Sequence, residues 1–163
     1  MLVEHPLQPK FDSNSRVLIL GTMPSPKSRE IGFYYGHPQN RFWRILAELF
    51  DEPLPSNNKE RTDFVLVHRI ALWDVLASCE IEGASDSSIR NAVPNDLARV
   101  LEHAPVRAIF TTGGKAKELF DRHLRESAAM DAIALPSTSA ANARMRLPQL
   151  VDAYRILLDY LQD

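Results

Sequence analysis

The sequence lacks the residues and motifs that mark several large classes of protein. Its 163 residues include one cysteine, so neither an internal disulfide nor a paired-cysteine zinc site can form. The motifs HExxH, DxDxDG and GxSxG are absent, which leaves zinc, calcium and serine-hydrolase chemistry without support. No stretch approaches the roughly 20 apolar residues of a membrane span. We therefore expect a protein of a reducing cytoplasm, with no metal and no membrane association, in which Cys79 is a small buried side chain.

A surplus of charge of one sign is also missing. The 19 Lys and Arg residues face 21 Asp and Glu residues, for a net charge of −2, so any polyanion must be held by a local patch. The phosphate-binding spacing GxxxxGK and the dinucleotide motif GxGxxG do not occur. The turn at residues 113–115, Gly-Gly-Lys, could expose amides to a phosphate, although paired glycines before a helix more often serve backbone geometry. Lys115 is thus a candidate contact to a phosphate group.

The hydrophobic pattern alternates short apolar runs with helical stripes. A hydrophobic content of 45% is enough for one substantial core, so we predict a single domain over residues 1–163. Alternating strands and helices predict a three-layer α/β/α sandwich around a mainly parallel four-stranded sheet. Strands are predicted at 16–22, 64–68, 106–112 and 132–135, and helices at 40–50, 94–101, 116–124 and 147–161, while the state of 70–78 is open.

Polar segments follow three of the predicted strands, at residues 21–25, 111–114 and 136–139. Ligands of parallel sheets bind beyond the carboxyl ends of the strands, so these segments are expected to meet at one pocket. Gly21 permits close approach of a ligand to the backbone, and Tyr35 offers a flat face for stacking. The sequence therefore predicts a ligand pocket at this edge of the sheet.

Several side chains near this pocket allow two interpretations. Asn40 suits a helix N-cap, yet its amide could also read a base edge or hold a water molecule. His37 could act as a base or lie in a turn before Pro38. Asp74 could orient a water molecule or play a structural part. Phe42 could stack on a ligand, although it lies on the apolar stripe of its helix.

Hydroxyl groups and arginines are concentrated at residues 136–146, and no acidic residue occurs between 136 and 147. Serine and threonine hydroxyls, backbone amides and arginines are the groups that bind phosphate oxygens. A serine-rich loop that caps a helix would have a similar composition. Both interpretations remain open from the composition alone.

Four segments in order resemble the hypoxanthine-DNA glycosylase branch of the uracil-DNA glycosylase superfamily. They are GTMPS at 21–25, YYGHPQNRFW at 34–43, ALWD at 71–74 and LPSTSAAN at 135–142, and the resemblance spans about residues 16–160. It implies a base pocket lined by the first segment and a serine-rich loop that pinches DNA, with no cofactor. Uracil-specific relatives commonly carry a catalytic Asn or Asp in the first segment, where this chain has Met23. In the hypoxanthine branch an asparagine of the HPQN block takes over, which points to Asn40.

The resemblance implies a monofunctional glycosylase that flips a deaminated base out of DNA and hydrolyses its N-glycosidic bond. The expected partner is DNA containing hypoxanthine, with uracil and xanthine as further candidates, and the expected state is a monomer. The implied base-binding residues are Gly21, Thr22, Met23, Pro24, Ser25, Tyr35 and Phe42, and the implied DNA contacts are Ser137, Thr138, Ser139, Asn142, Arg146 and Lys115.

Two other functions fit the same pocket. A small-molecule nucleoside or nucleotide hydrolase fits the net charge slightly better, but it leaves the serine- and arginine-rich segment without a purpose. A non-catalytic binder of damaged DNA is favoured by Met23, which can neither activate water nor pair with a base. Release of free base from duplex DNA would separate all three.

Overall fold

Strands and helices alternate along most of the chain in the computed structural model, which describes residues 1–83 and 85–162. The strands are β1 (Leu2–Glu4), β2 (Val17–Gly21), β3 (Ile70–Asp74), β4 (Leu76–Glu80), β5 (Arg90–Pro94), β6 (Ala108–Thr112) and β7 (Ala132–Leu135). The helices are α1 (Pro26–Ile31), α2 (Phe42–Leu49), α3 (Asn58–Val67), α4 (Ala98–Leu101), α5 (Gly114–His123), α6 (Arg125–Ala128), α7 (Leu147–Tyr154) and α8 (Ile156–Leu161). Within these described ranges, no helix has the length and apolar content needed to cross a membrane.

Four parallel strands in the order β3-β2-β6-β7 form the central sheet. Every residue of β2 and β3 is buried, as expected for strands covered on both faces. The helices supply that cover: α3 packs on β3, α5 on β6 and β7, and α8 on β2. The predicted α/β fold with a four-stranded parallel sheet is confirmed, and Cys79 is a free, buried cysteine as predicted.

The strand predicted at 64–68 is wrong, because these residues belong mostly to α3. Asn57 caps that helix by accepting a hydrogen bond from the Glu60 N–H at 2.8 Å. Phe64 and Val65 are the buried residues of the helix. An apolar run of four residues cannot by itself distinguish a strand from one buried turn of helix. The fourth strand of the sheet is β3, in the segment whose state the sequence left open.

Two predicted helices differ from the observed ones. Pro94 ends β5 rather than starting a helix, and α4 begins only at Ala98. The long C-terminal stripe is divided at Arg155 into α7 and α8, although both keep the predicted apolar face buried.

A second sheet, which the sequence pattern did not reveal, joins β1, β4 and β5 in antiparallel order. Strand β1 has three residues, of which one is buried, so it carries almost no periodic signal. Its pairing continues beyond Glu4, since the His5 N–H donates to the Ala77 carbonyl oxygen at 2.7 Å. The N-terminal segment is thereby brought beside the carboxyl end of β3.

Candidate active site

A small cavity opens at the carboxyl edge of the parallel sheet, where the polar segments were expected to meet. Its volume is about 120 Å³, below the roughly 300–1,000 Å³ of pockets for drug-sized ligands, so it suits a single ring system. A larger cavity of about 400 Å³ adjoins it and shares part of its wall. The small cavity is lined by Gly21, Thr22, Met23, Pro24, Ser25, Ser28, Tyr34, Tyr35, Asn40, Asp74, Asp86, Thr112, Ser137, Thr138 and Ser139.

Ends of paired strands bring Gly21 and Asp74 together. The two residues are partners in the register of β2 and β3. A Cβ at Gly21 would lie 2.5 Å from Asp74 Oδ1 and 3.4 Å from the Tyr35 hydroxyl, so only glycine leaves room for these groups. Asp74 Oδ2 lies 2.7 Å from His5 Nε2, and their side chains are 5% and 3% exposed. No recognisable motif surrounds His5 in the sequence.

Tyr35 forms one wall of the cavity in a backbone conformation that is rare for a residue with a side chain, with φ at +53°. Its ring stacks on Phe42 with centroids 3.9 Å apart and planes 17° apart. Its hydroxyl lies 3.2 Å from Thr112 Oγ1. Burial raises the Tyr35 pKa well above its usual value, and the charge of Asp74 adds to this, while the Thr112 hydrogen bond acts in the opposite direction. The phenol therefore stays a neutral hydrogen-bonding group.

Phe42 lies behind Tyr35 and does not line the cavity. It is fully buried and also contacts Trp43 edge to face at 5.2 Å. Its aromatic face supports Tyr35 rather than facing a ligand.

The Ser25 hydroxyl caps α1. It accepts a hydrogen bond from the Ser28 N–H and donates one to Ser28 Oγ, both at 3.1 Å.

The side chain of Asn40 is held in place through its oxygen. Its Oδ1 accepts hydrogen bonds from the Phe42 N–H at 2.9 Å and from the Thr138 hydroxyl at 2.8 Å. A backbone N–H can only donate, so the atom facing Phe42 is the amide oxygen and the other is Nδ2. Asn40 lines both cavities, and none of the described residues accepts a hydrogen bond from Nδ2. The side chain is thus fixed through its oxygen, with its two N–H donors available to a ligand.

Arg41 organises the serine-rich loop, a part that the sequence did not suggest. Its main-chain N–H donates to the Thr138 carbonyl oxygen at 3.0 Å. Its guanidinium donates to the carbonyl oxygens of Ser139 at 2.7 Å, Asn142 at 3.0 Å and Met145. The five donors of a guanidinium match a loop with several inward-facing carbonyl groups. The only sequence signal was its position next to Asn40.

The loop itself divides its polar groups between internal bonds and the cavity. Thr138 is 2% exposed, and the Asn142 amide donates to the Ser137 carbonyl oxygen at 3.0 Å. The hydroxyl oxygens of Ser137 and Ser139 each accept a main-chain N–H, at 3.2 and 3.1 Å. Both serine hydroxyls keep their own proton for donation to a ligand.

Comparison with known proteins places this site in a family. The family model of the uracil DNA glycosylase superfamily matches residues 8–161. The chain belongs to that superfamily. The resemblance inferred from the four sequence segments is thus confirmed.

Two curated relatives of this glycosylase-superfamily chain come from two species of the genus Methanosarcina. A hypoxanthine DNA glycosylase of Methanosarcina acetivorans is 38% identical over 136 residues, which cover 82% of this chain and 85% of that protein. A hypoxanthine DNA glycosylase of Methanosarcina barkeri is 34% identical over 137 residues, covering 83% and 86%. The solution NMR structure of a candidate uracil DNA glycosylase from M. acetivorans matches with a TM-score of 0.79 and 31% identity, over 97% of this chain and 99% of that one.

Four of the side chains predicted to act in the site of this superfamily member lie outside both cavities. They are Phe42, Asn142, Lys115 and Arg146. Lys115 Nζ lies 3.6 Å from Glu118 on the same helix. Arg146 is exposed at the start of α7, where its main-chain N–H donates to Gln149. Neither of these two cations lines a cavity.

Proposed function

We propose that this protein removes hypoxanthine from DNA by hydrolysing its N-glycosidic bond, and that the product is an abasic site. The names of the two Methanosarcina relatives support this substrate. The observation that carries the proposal is the hydrogen bond from Thr138 to Asn40, which joins the hydroxyl-rich loop directly to a cavity small enough to hold one nucleobase. A base and its own backbone could therefore be held at one site.

Access to the cavity requires the base to leave the duplex. Extruding a nucleotide costs a few kcal/mol, least for a mispaired base, and a deaminated base is mispaired. In this proposal the base enters the small cavity against Tyr35, whose ring is supported from behind by Phe42. The hydroxyls of Ser137 and Ser139 hold the displaced phosphate, and Arg41 keeps their loop in place.

Asn40 is the catalytic residue of this proposal, and it acts as a hydrogen-bond donor. Because Oδ1 already accepts two hydrogen bonds, Nδ2 is the atom left to contact the base. Negative charge builds on the base as the glycosidic bond breaks, and a donor fixed in advance stabilises that charge most in the transition state. The neutral Tyr35 phenol and the Thr112 hydroxyl share one hydrogen bond at the same edge, so one of the two is left as a further donor.

The product should be an abasic site without strand cleavage, because a Schiff base would need a desolvated lysine in the cavity. Lys27 and Lys115 follow closely after two of the polar segments, and neither lines the small cavity. Both lie within ion-pair distance of a glutamate on their own helix, Glu30 and Glu118. We also propose that the enzyme acts as a monomer in the cytoplasm, which the free, buried Cys79 supports.

The direct test is release of free base from duplex DNA. We expect the protein to release hypoxanthine from a duplex with one deoxyinosine and to leave free deoxyinosine intact, since Ser137 and Ser139 contribute only when a DNA backbone is present. Parallel duplexes with deoxyuridine and deoxyxanthosine measure the substrate range. Cleavage of the free nucleoside at a comparable rate would favour a small-molecule hydrolase, and binding without base release would favour a non-catalytic binder.

A second prediction concerns Arg146. If its guanidinium contacts one phosphate, Arg146→Ala should weaken DNA binding and lower the slope of log K against log salt by about one unit. Arg155, at the other end of α7, provides the matched control, because its guanidinium contacts Asp152 at 3.3 Å. Arg155→Ala should leave the slope unchanged. An identical slope for wild type and Arg146→Ala would remove Arg146 from the DNA contacts.

A further inference from the structure

His5 and Asp74 form a buried pair behind the small cavity. His5 comes from the segment after β1 and Asp74 from the end of β3, and their side chains are almost completely excluded from solvent. The main chain fixes His5 by its hydrogen bond to Ala77. A buried charged group needs a partner of this kind to be tolerated. None of the steps proposed above uses this pair.

The hydrogen bonds of His5 decide which atoms donate. The Leu7 N–H donates to His5 Nδ1 at 3.2 Å, so Nδ1 carries no proton. The neutral ring then carries its proton on Nε2, which donates to Asp74 Oδ2 at 2.7 Å. That length is typical of a hydrogen bond to an ionised carboxylate. His5 therefore holds one carboxylate oxygen and fixes the direction of the other.

The second oxygen, Asp74 Oδ1, faces the ligand side. It is the atom closest to where a Gly21 Cβ would lie, beside the Tyr35 and Thr112 hydroxyls. Among the described residues no group donates a hydrogen bond to it, and Asp74 lines the small cavity. An ionised carboxylate oxygen can only accept a hydrogen bond. The cavity thus presents a fixed acceptor next to a pair of hydrogen-bonded hydroxyls, one of which keeps its proton for a ligand.

We propose that the His5–Asp74 pair selects bases by their ring N–H, an inference that rests on the glycosylase function proposed above. Deamination turns N1 of adenine from an acceptor into an N–H donor and places a carbonyl beside it, and deamination of cytosine does the same at N3. Asp74 Oδ1 accepts that N–H, and a hydroxyl of Tyr35 or Thr112 donates to the carbonyl. Adenine and cytosine would set a ring lone pair against the carboxylate, which a buried site does not tolerate.

His5 is the positioning residue in this scheme, because it fixes the orientation of the Asp74 side chain. The variant Asp74→Asn shows this effect. In that variant the His5 Nε2–H still requires an acceptor, so the amide oxygen turns toward His5 and the NH₂ group turns toward the cavity. The group that residue 74 presents to the cavity thereby changes from a hydrogen-bond acceptor to a hydrogen-bond donor. Adding His5→Leu removes the donor that imposes this orientation, and the amide can rotate to present its oxygen again.

The experiment measures single-turnover base release by the full chain from duplexes with one deoxyinosine, deoxyuridine or mispaired deoxyadenosine. Asp74→Asn should lower hypoxanthine release by at least about a hundredfold and lower its ratio to adenine release as strongly. The double variant His5→Leu/Asp74→Asn should recover about tenfold of the hypoxanthine rate, because the acceptor is restored. Asp96→Asn, the same change at an exposed helix start, is the control that should match wild type.

Distinct results would overturn the inference. One such result is that Asp74→Asn keeps the wild-type ratio of the hypoxanthine release rate to the adenine release rate. Another is that release of every nucleobase falls equally and the double variant recovers no activity, which would identify Asp74 as the general base that activates water. Wild-type protein on 1-methylhypoxanthine in DNA tests the same point without any variant, since this base lacks the N1–H. Release at the hypoxanthine rate would contradict the inference. Absence of release by wild type from every deaminated duplex would instead refute the glycosylase proposal, and this inference with it.

Discussion

Replacing Asn40 by aspartate is expected to abolish base release while leaving the protein as stable as wild type. An aspartate oxygen can still accept the hydrogen bonds that the Phe42 N–H and the Thr138 hydroxyl make to Asn40, at 2.9 and 2.8 Å. The variant lacks the Nδ2 donor and places an acceptor where negative charge builds on the base. Loss of one such donor typically lowers the rate by about 10²–10³-fold. The single-turnover rate of hypoxanthine release measures the effect.

Asn40→Ala removes both the Oδ1 acceptor and the Nδ2 donor. Comparing it with Asn40→Asp, which lacks only the donor, separates the two contributions. Asn40→Ala should lose activity to the same extent, and in addition lose about 1 kcal/mol of unfolding free energy, because the hydrogen bonds that the Phe42 N–H and the Thr138 hydroxyl make to Oδ1 are gone. Asn57→Ala is the matched control, because Asn57 caps α3 through the Glu60 N–H at 2.8 Å and lies outside both cavities. It should show the stability loss with unchanged base release.

Two outcomes would contradict the role of the Asn40 Nδ2 donor in catalysis. If Asn40→Asp releases hypoxanthine at the wild-type rate, Nδ2 does not contact the base in the transition state. If Asn40→Asp retains activity and Asn40→Ala does not, Asn40 acts through the Thr138 loop alone. Urea unfolding of each variant shows whether a loss of rate follows a loss of structure.

The location of the cavity was predictable because it depends on strand direction and not on exact element boundaries. Parallel strands place their carboxyl ends at one edge, so polar residues after β2, β6 and β7 had to meet. The prediction succeeded although one strand was assigned to 64–68 in place of β3. The catalytic role proposed for Asn40 came only from the resemblance, since a capping amide and a catalytic amide look the same in one sequence. In the structure, the Asn40 oxygen accepts the N–H of Phe42, the first residue of α2, and the nitrogen remains available.

The groups that the sequence did not reveal act across long separations. His5 and Asp74 are 69 residues apart, and Arg41 reaches carbonyl groups about a hundred residues further along the chain. Such contacts leave no periodic pattern, because each side chain is placed by its own element and the two elements meet only in the folded state. A lone histidine before a proline and an arginine at a helix start are unremarkable in isolation. Only the residues that they contact in the folded protein show what these two side chains do.

Adding one methyl group at Gly21 is expected to be among the most damaging changes in this protein. The Cβ of Gly21→Ala would lie 2.5 Å from Asp74 Oδ1, a distance that real side chains do not tolerate, and 3.4 Å from the Tyr35 hydroxyl. Asp74 cannot retreat without disturbing its 2.7 Å hydrogen bond to His5. Overpacking of this kind costs about 1–3 kcal/mol of stability. A displacement of about 1 Å at the site is enough to lower the rate about a hundredfold.

The matched control is Gly114→Ala, because no atom lies within 4 Å of a Cβ placed there. It should leave the unfolding free energy and the rate of base release near their wild-type values. The double variant Gly21→Ala/Asp74→Ala tests the steric cause, since removing the carboxylate gives the new methyl group room. Its unfolding free energy should exceed the value expected by adding the two single effects, as is usual for residues in contact. Base release should stay lost, because the double variant lacks the Asp74 carboxylate that accepts the ring N–H. Additive losses of stability would show that Gly21 is required for a reason other than the approach of Asp74.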